Sequence, residues 1–259
     1  MAVESTTRSP ELLQSLAWPV AVAIGIVVAV TWYVTGATAD LTMILAQPYS
    51  VAAHPATIAL FLALLVVMMV AMMLPSALPM VVAYHGLTRL ENGRPTRPAD
   101  AVATALFVLP YFLVWGAFGA IALLGLMGLG VVGPLTGVLV FVPTGVVLAA
   151  GLYQFTRPKE VCLAQCDSPM GFVIRHWRSG RSGAVRMGLR HASYCIGCCW
   201  LFMIVLFVVG SMSLPWMGIV SIAIFAEKVG SPRLPIARAI GALLLVFGGL
   251  LAVQAVLAG

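Results

Sequence analysis

The stretch TIALFLALLVVMMVAMMLPSALPMVVAY, residues 57–84, contains no charged side chain. About 20 predominantly apolar residues in helical conformation cross the hydrocarbon core of a bilayer. The stretch is therefore long enough to cross a membrane as one helix. Pro55 precedes it, where a proline suits a helix start because the first amide groups of a helix have no acceptor within it.

The composition extends this conclusion to the whole chain. Of its 259 residues, 62% are hydrophobic and only 8% are charged, whereas soluble domains carry about 25% charged residues. Several further apolar runs approach the length of a membrane crossing. Because a bilayer offers the backbone no water for hydrogen bonding, such runs form helices. The sequence predicts an all-α fold, a polytopic bundle of membrane helices.

Seven spans are predicted, at about residues 18–35, 57–84, 101–127, 131–153, 194–212, 214–226 and 235–257. The sixth run is short for a crossing, so six spans are the alternative. The first run lacks a cleavage site of small residues, and we expect it to be a retained span. We expect the fifth helix to begin near Tyr194 with Ser193 as its N-cap. Residues 1–17 are then a cytoplasmic tail, and residues 18–259 form one membrane domain.

The basic residues predict an orientation. With seven spans, all 14 lysines and arginines fall on one side of the membrane. The positive-inside rule makes that side cytoplasmic, with the N-terminus inside and the C-terminus outside, in the cytoplasmic membrane. The connection at residues 154–193 would be cytoplasmic, and its basic stretch at residues 175–191 is suited to lie along the membrane surface. The net charge of +6 then reflects topology and attraction to anionic lipid, and no nucleic-acid partner is expected.

A group of methionines marks the second predicted span. The stretch MMVAMMLPSALPM holds two pairs spaced four residues apart and one more methionine on the same predicted face, at Met68, Met69, Met72, Met73 and Met80. Thioethers are soft donors that favour Cu(I). The alternative is that these methionines are flexible apolar filler, as is common in membrane helices.

All five cysteines lie in two short segments, at Cys162, Cys166, Cys195, Cys198 and Cys199. Seven spans place them on the cytoplasmic side, where thiols stay reduced and structural disulfides are disfavoured. A thioredoxin-like C-x-x-C motif would need a strand-to-helix context that is missing here. Thiolates from two segments that meet at one interface suit a soft metal ion. The alternative is that these cysteines only pack in the core.

Two histidines are possible further ligands. His191 precedes Cys195 by four residues, and His85 lies at the cytoplasmic end of the methionine-bearing helix. His54, at the predicted outer end, is suited to accept an arriving ion. Each of these histidines is alternatively a surface or interfacial residue.

One acidic residue, Glu227, borders the predicted membrane core and is adjacent to Lys228. It either pairs locally or faces the bundle as a proton or metal ligand. Paired carboxylates and a specific Ser-His-Asp pattern are absent from the sequence. Conventional hydrolase mechanisms therefore have no support, and we assign no catalytic residue.

Six stretches occur in the order typical of the bacterial family called domain of unknown function 2182. They are MMVAMMLPSALPM, YQFTRPKEVCLAQCDSP, a Gly-rich basic stretch, CIGCCWLFM, SMSLPWM and FAEK. The chain resembles this family over residues 68–228. The family is described as predicted metal-binding integral membrane proteins, so the resemblance implies a metal site.

The resemblance also implies which residues build that site. The cysteines of the family motif correspond to Cys162, Cys166, Cys195, Cys198 and Cys199, and its methionines to Met68, Met69, Met72 and Met73. Its acidic and basic pair corresponds to Glu227 and Lys228. Ser213 stands where an asparagine is expected in the family pattern.

The leading hypothesis is an integral membrane protein that binds a soft metal through its cysteines. Copper is the expected metal, with zinc or another soft metal as the alternative. The protein would transport, store or deliver the metal, with a metallochaperone or a membrane copper enzyme as its partner. The other hypotheses are a redox or monooxygenase component with a membrane metal centre, and an accessory subunit of a larger membrane complex.

Overall fold

The computed structural model describes residues 8–45, 55–91, 94–95, 100–128, 141–166, 168–209, 213–230 and 236–258. Its helices are α1 (Arg8–Ala37), α2 (Ala39–Leu45), α3 (Pro55–Leu87), α4 (Ala101–Gly128), α5 (Val142–Tyr153), α6 (Arg157–Cys166), α7 (Pro169–His176), α8 (Gly180–Val208), α9 (Leu214–Val229) and α10 (Ile236–Ala258). Two strands of two residues, β1 (Leu90–Glu91) and β2 (Arg94–Pro95), pair antiparallel between α3 and α4. The predicted all-helical fold is confirmed.

Five of these helices are long and apolar enough to cross a membrane. The stretches concerned are Trp18–Ala37, Ala56–Leu87, Ala101–Ala122, Gly180–Val208 and Ile236–Leu257. Two of the seven predicted spans do not meet this criterion within the described residues. The predicted fourth span falls partly on residues 129–140, which lie outside the described residues, and its remainder is the short α5. The predicted sixth span is α9, with 16 residues.

Helix α3 lies at the centre of the bundle. It packs against α1, α4, α7 and α9, and α8 packs against α4, α5 and α6. Half of the α3 span is buried, whereas almost none of the α1 span is buried. A helix that is apolar on all sides suits either a buried position or a lipid-facing one. The packing buries α3 inside the bundle. It leaves α1 and α10 with mostly exposed apolar surfaces, which face lipid.

The predicted start of the fifth helix was wrong. Helix α8 begins at Gly180, and Ser193 lies inside it, with its hydroxyl donating to the carbonyl of Leu189 at 3.0 Å. Hydropathy marks where apolar side chains begin, but arginines are good helix formers and extend the helix into its polar part. Cys195 consequently lies near the middle of α8 and not at its start.

Glycine permits the close crossing of α4 and α8. A methyl group at Gly188 would collide with the backbone of Phe107, so no larger residue fits without a shift of one helix. Beyond this crossing, Tyr111 lies one turn along α4 from Phe107 and Cys195 lies about two turns along α8 from Gly188, and the two side chains meet.

Candidate metal centre

Three thiols of α8 form a compact group. The sulfur atoms of Cys195, Cys198 and Cys199 all lie within 4.8 Å of one another, and the three side chains are buried. Residues three and four apart share one face of a helix, which explains the grouping. The Cys198 and Cys199 thiols donate to the carbonyl of Cys195 at 3.1 and 2.9 Å. We call these three residues the thiol triad.

Helix α3 brings a thioether to the triad. The Met73 sulfur lies 3.9 Å from the Cys199 sulfur. The other predicted methionines at Met68, Met69 and Met72 are buried in the same hydrophobic cluster as the triad. Met80 is buried in a separate cluster with Tyr84 and Phe107. The triad therefore faces the methionine-bearing part of α3.

The second cysteine pair reaches the triad from α6. Cys166 is buried at the end of α6, and its thiol hydrogen-bonds to Cys198, which together with burial raises the pKa of Cys166 well above the ordinary value. Cys162 lies one turn earlier and is half-buried. Its sulfur packs so closely against Gly197 that a methyl group there would meet it at 2.5 Å. The fold thus brings both predicted cysteine segments together.

The environment of Cys162 also opposes ionisation of its thiol. Burial raises the pKa of Cys162, and the neighbouring Cys198 raises it further, while the Lys159 ammonium acts in the opposite direction. All five cysteines are free of disulfides in the structure.

A lysine that sequence spacing did not assign to the site contacts the triad. The Lys228 ammonium donates to the Cys195 sulfur at 2.9 Å and to the Ser76 hydroxyl at 3.2 Å, although only 4% of this residue is exposed. The Tyr111 hydroxyl lies 3.1 Å from the same sulfur. A cation and a hydroxyl group thus both contact the Cys195 sulfur. In the described part of the chain, no carboxylate pairs with Lys228.

Glu227 belongs to a different network. Its carboxylate accepts from Lys159 at 2.5 Å and from the Gln154 amide at 2.9 Å, and it makes no ion pair with the adjacent Lys228. The Lys159 ammonium also donates to the carbonyl of Cys198. The buried Lys159–Glu227 ion pair is therefore anchored to the α8 backbone beside the triad.

The histidines occupy different environments. His191 is buried one turn before Cys195, stacked on Tyr111 at 5.4 Å between ring centroids, and neither of its ring nitrogens has a hydrogen-bond partner within the described structure. His85 lies in the last turn of α3, where Nδ1 is 2.8 Å from the Thr104 hydroxyl. His54 lies outside the described residues.

Tyr111, Ser76 and Lys159 were missed because no local pattern marks them. A signal was available for Lys228, since a charged residue at the end of an apolar helix is costly and usually has a specific partner. Its partner is 33 residues away in the chain, and only the packing of α9 against the bundle shows it.

Fold and site together define a helical membrane protein with a buried cluster of soft ligands. The family model of the PpoB2 copper chaperones matches residues 62–251. This range covers most of the chain and every residue of the cysteine clusters, and the chain belongs to this copper chaperone family. A search of curated proteins gave no match, and a search of solved structures gave none either.

The protein is thus a membrane protein of a copper chaperone family with a buried triad at Cys195, Cys198 and Cys199 that is able to hold a metal ion. Thiolate and thioether sulfurs are the donors that Cu(I) prefers. The residues present fit copper as the cargo of this site.

Proposed function

We propose that the protein accepts Cu(I) on the cytoplasmic side of the cytoplasmic membrane, holds it on the thiol triad and delivers it to a metallochaperone or a copper enzyme. The observation that carries this proposal is the buried group of three thiols within 4.8 Å of one another beside the Met73 thioether. A wholly sulfur donor set favours Cu(I) over hard ions. Membership of the copper chaperone family supports delivery over redox chemistry.

The gradient of burial among the cysteines suggests how the ion enters. Cys162 is half-buried, Cys166 is buried and hydrogen-bonded to Cys198, and Cys198 belongs to the triad. Cu(I) would pass inward by ligand exchange, with each new copper–sulfur bond forming as an earlier one breaks. Additional ligands are proposed as well: His191, whose ring nitrogens have no partner among the described residues, and the buried methionines Met68, Met69, Met72 and Met73. His85 and Glu227, which have other partners, are weaker candidates.

Lys228 supplies the charge that this site needs. A Cu(I) ion bound by two thiolates carries one negative charge, and a buried unpaired charge is costly. The Lys228 ammonium beside Cys195 makes the assembly neutral. The third thiol of the triad can then stay protonated, and Met73 can serve as a neutral ligand.

The topology forms part of the proposal. We propose seven spans within one membrane domain at residues 18–259, with the N-terminus inside and the C-terminus outside. In this arrangement α5 and α9 supply the fourth and sixth crossings. The support is that every lysine and arginine then falls on one side. Reporter fusions test it: a reporter active only in the cytoplasm should work after residue 166, and one active only outside should work after residue 259.

The resemblance to domain of unknown function 2182 fits the same proposal. Its motifs at residues 68–228 lie within the range 62–251 that matches the copper chaperone family. We propose that both descriptions refer to the same set of cysteine and methionine motifs.

Elemental analysis of the purified protein tests the proposed function. The unmodified protein, loaded with Cu(I) under reducing conditions, should retain copper through gel filtration. The triple variant Cys195→Ser, Cys198→Ser, Cys199→Ser should lose it, while Ser193→Ala, on the exposed side of α8, should not. Equal copper content in the triple variant would show that the triad is not the site. If the unmodified protein retains zinc in preference to copper, zinc is the cargo and the assignment of copper is wrong.

A further inference from the structure

A second candidate site lies where α7 ends and α8 begins. An open depression of about 200 Å³ is lined by His176, Arg178, Arg186, Met187 and Arg190. None of these residues belongs to the cysteine or methionine clusters assigned to copper. We call this depression the arginine pocket.

The loop between α7 and α8 is held in place to form this pocket. Gly180 has a φ of 80°, a left-handed conformation that glycine adopts readily. A side chain at Gly183 would collide with the carbonyl of Arg178, so the loop lies directly on α8. The amide of Arg178 also donates to the Met187 sulfur at 3.3 Å. Arg178 is thereby held beside α8 and its arginines.

The charges around the pocket have no counter-ion in the described part of the chain. Arg186 and Arg190 lie one turn apart on one face of α8, and Arg178 faces the same opening. The ion pairs of the described residues join Lys159 to Glu227 and Arg238 to Glu160, and none involves these three arginines. Like charges around one opening repel, and an anion bound among them removes that repulsion. The planar guanidinium group suits phosphate because it donates two parallel hydrogen bonds.

The surroundings of the pocket indicate where the phosphate comes from. Exposed apolar side chains stand on α7, the loop and the first half of α8, at Ile174, Trp177, Val185 and Leu189. The whole of α8 is a candidate membrane span, and the pocket arginines of this helix lie in its first half. Arginines among exposed aromatic and aliphatic residues at the start of a span are typical of the membrane interface.

We propose that the arginine pocket binds the headgroup phosphate of an anionic phospholipid. The three guanidinium groups hold the phosphate, and the exposed apolar residues contact the beginning of the acyl chains. This site is independent of copper binding, since it shares no residue with the thiol triad.

Native mass spectrometry of the full-length protein tests the proposal. The protein is released from nanodiscs that contain equal amounts of phosphatidylglycerol and phosphatidylcholine, and the retained lipids are counted. We expect preferential retention of phosphatidylglycerol by the unmodified protein. The double variant Arg186→Gln, Arg190→Gln should reduce that retention on the order of tenfold, because two phosphate contacts are lost.

The double variant Arg175→Gln, Arg181→Gln is the matched control. It removes the same charge from the same region, but neither residue lines the pocket, so retention of phosphatidylglycerol should stay close to the unmodified level. Equal losses in both double variants would mean that net charge alone attracts the lipid, and the proposal would be wrong. If the pocket variant fails to fold, as judged by thermal unfolding, the single variant Arg178→Gln provides the same comparison against Arg181→Gln.

A competition experiment distinguishes binding of a lipid headgroup from binding of soluble phosphate. Inorganic phosphate at millimolar concentration should not displace phosphatidylglycerol from the unmodified protein, because the apolar contacts add to its binding. Displacement by inorganic phosphate, or retention without preference for the anionic lipid, would overturn the lipid assignment. An unchanged preference for phosphatidylglycerol in the double variant Arg186→Gln, Arg190→Gln would also overturn the lipid assignment.

Discussion

Two buried lysines beside the same cysteines, Lys159 and Lys228, differ in what compensates their charge. The first is 1% exposed and forms an ion pair with the Glu227 carboxylate. The second is 4% exposed and donates to a cysteine sulfur and a serine hydroxyl, with no carboxylate among the described residues. A buried charge needs a partner of opposite sign. The first pair is therefore complete within the chain, whereas the charge of Lys228 is left for a thiolate or for the proposed copper complex to balance.

The largest effect is expected from Glu227→Gln, which leaves Lys159 without a counter-charge. Removal of one partner of a buried pair costs about 3–5 kcal/mol, so the free energy of unfolding should fall by that order. Denaturant-induced unfolding in detergent measures it. Glu160→Gln breaks the exposed pair with Arg238 and is the control, with an expected cost of about 0–1 kcal/mol. Equal stability losses in the two variants would contradict a structural role for the buried pair.

The next effect concerns copper and not folding. Lys228→Met removes the charge that balances a copper dithiolate and should weaken Cu(I) binding by about 1.5–3 kcal/mol, the range of hydrogen bonds to charged groups. Competition with a Cu(I) chelator of known affinity measures the loss. Lys228→Arg keeps the charge and should retain more of the affinity. If Lys228→Met binds Cu(I) as tightly as the unmodified protein, Lys228 does not balance the charge of the copper site.

The reactivity of the two α6 cysteines, Cys162 and Cys166, should depend on pH. Burial raises the pKa of Cys162, and the hydrogen bond to Cys198 together with burial raises the pKa of Cys166, so less thiolate is present near neutral pH than in a free cysteine. Alkylation of the copper-free protein should accelerate with pH, with a midpoint above the ordinary thiol value of about 8.5. Mass spectrometry of iodoacetamide adducts follows each cysteine, and half-buried Cys162 should react before Cys166. A midpoint below the ordinary value would contradict this environment.

The smallest effect is expected from Tyr111→Phe, which removes the hydroxyl 3.1 Å from the Cys195 sulfur. A single hydrogen bond contributes about 0.5–1.5 kcal/mol, so the affinity for Cu(I) should fall severalfold in the chelator assay. Tyr153→Phe is the control, because within the described structure its hydroxyl donates to the carbonyl of Gly197 and not to a sulfur. A larger loss in the control would assign the effect to helix packing.

The sequence alone determined the class of the protein and the chemistry of its cargo. A low charge fraction and long apolar runs require membrane helices, since nothing else buries so much apolar surface. The spacing of Cys195, Cys198 and Cys199 places them on one helix face, because that geometry is local. The five cysteines and the methionine motif thus predicted a soft-metal site before any packing was known.

Tertiary structure decided what surrounds those thiols. Local spacing shows which residues share a helix face, but not which face of another helix meets it. Glu227 and Lys228 are neighbours in sequence, yet they point to different partners, one to Lys159 on α6 and the other to Cys195 on α8. Successive residues of a helix point about 100° apart around its axis, so only the packing of α9 in the bundle decides which of the two meets Lys159 and which meets the thiol triad.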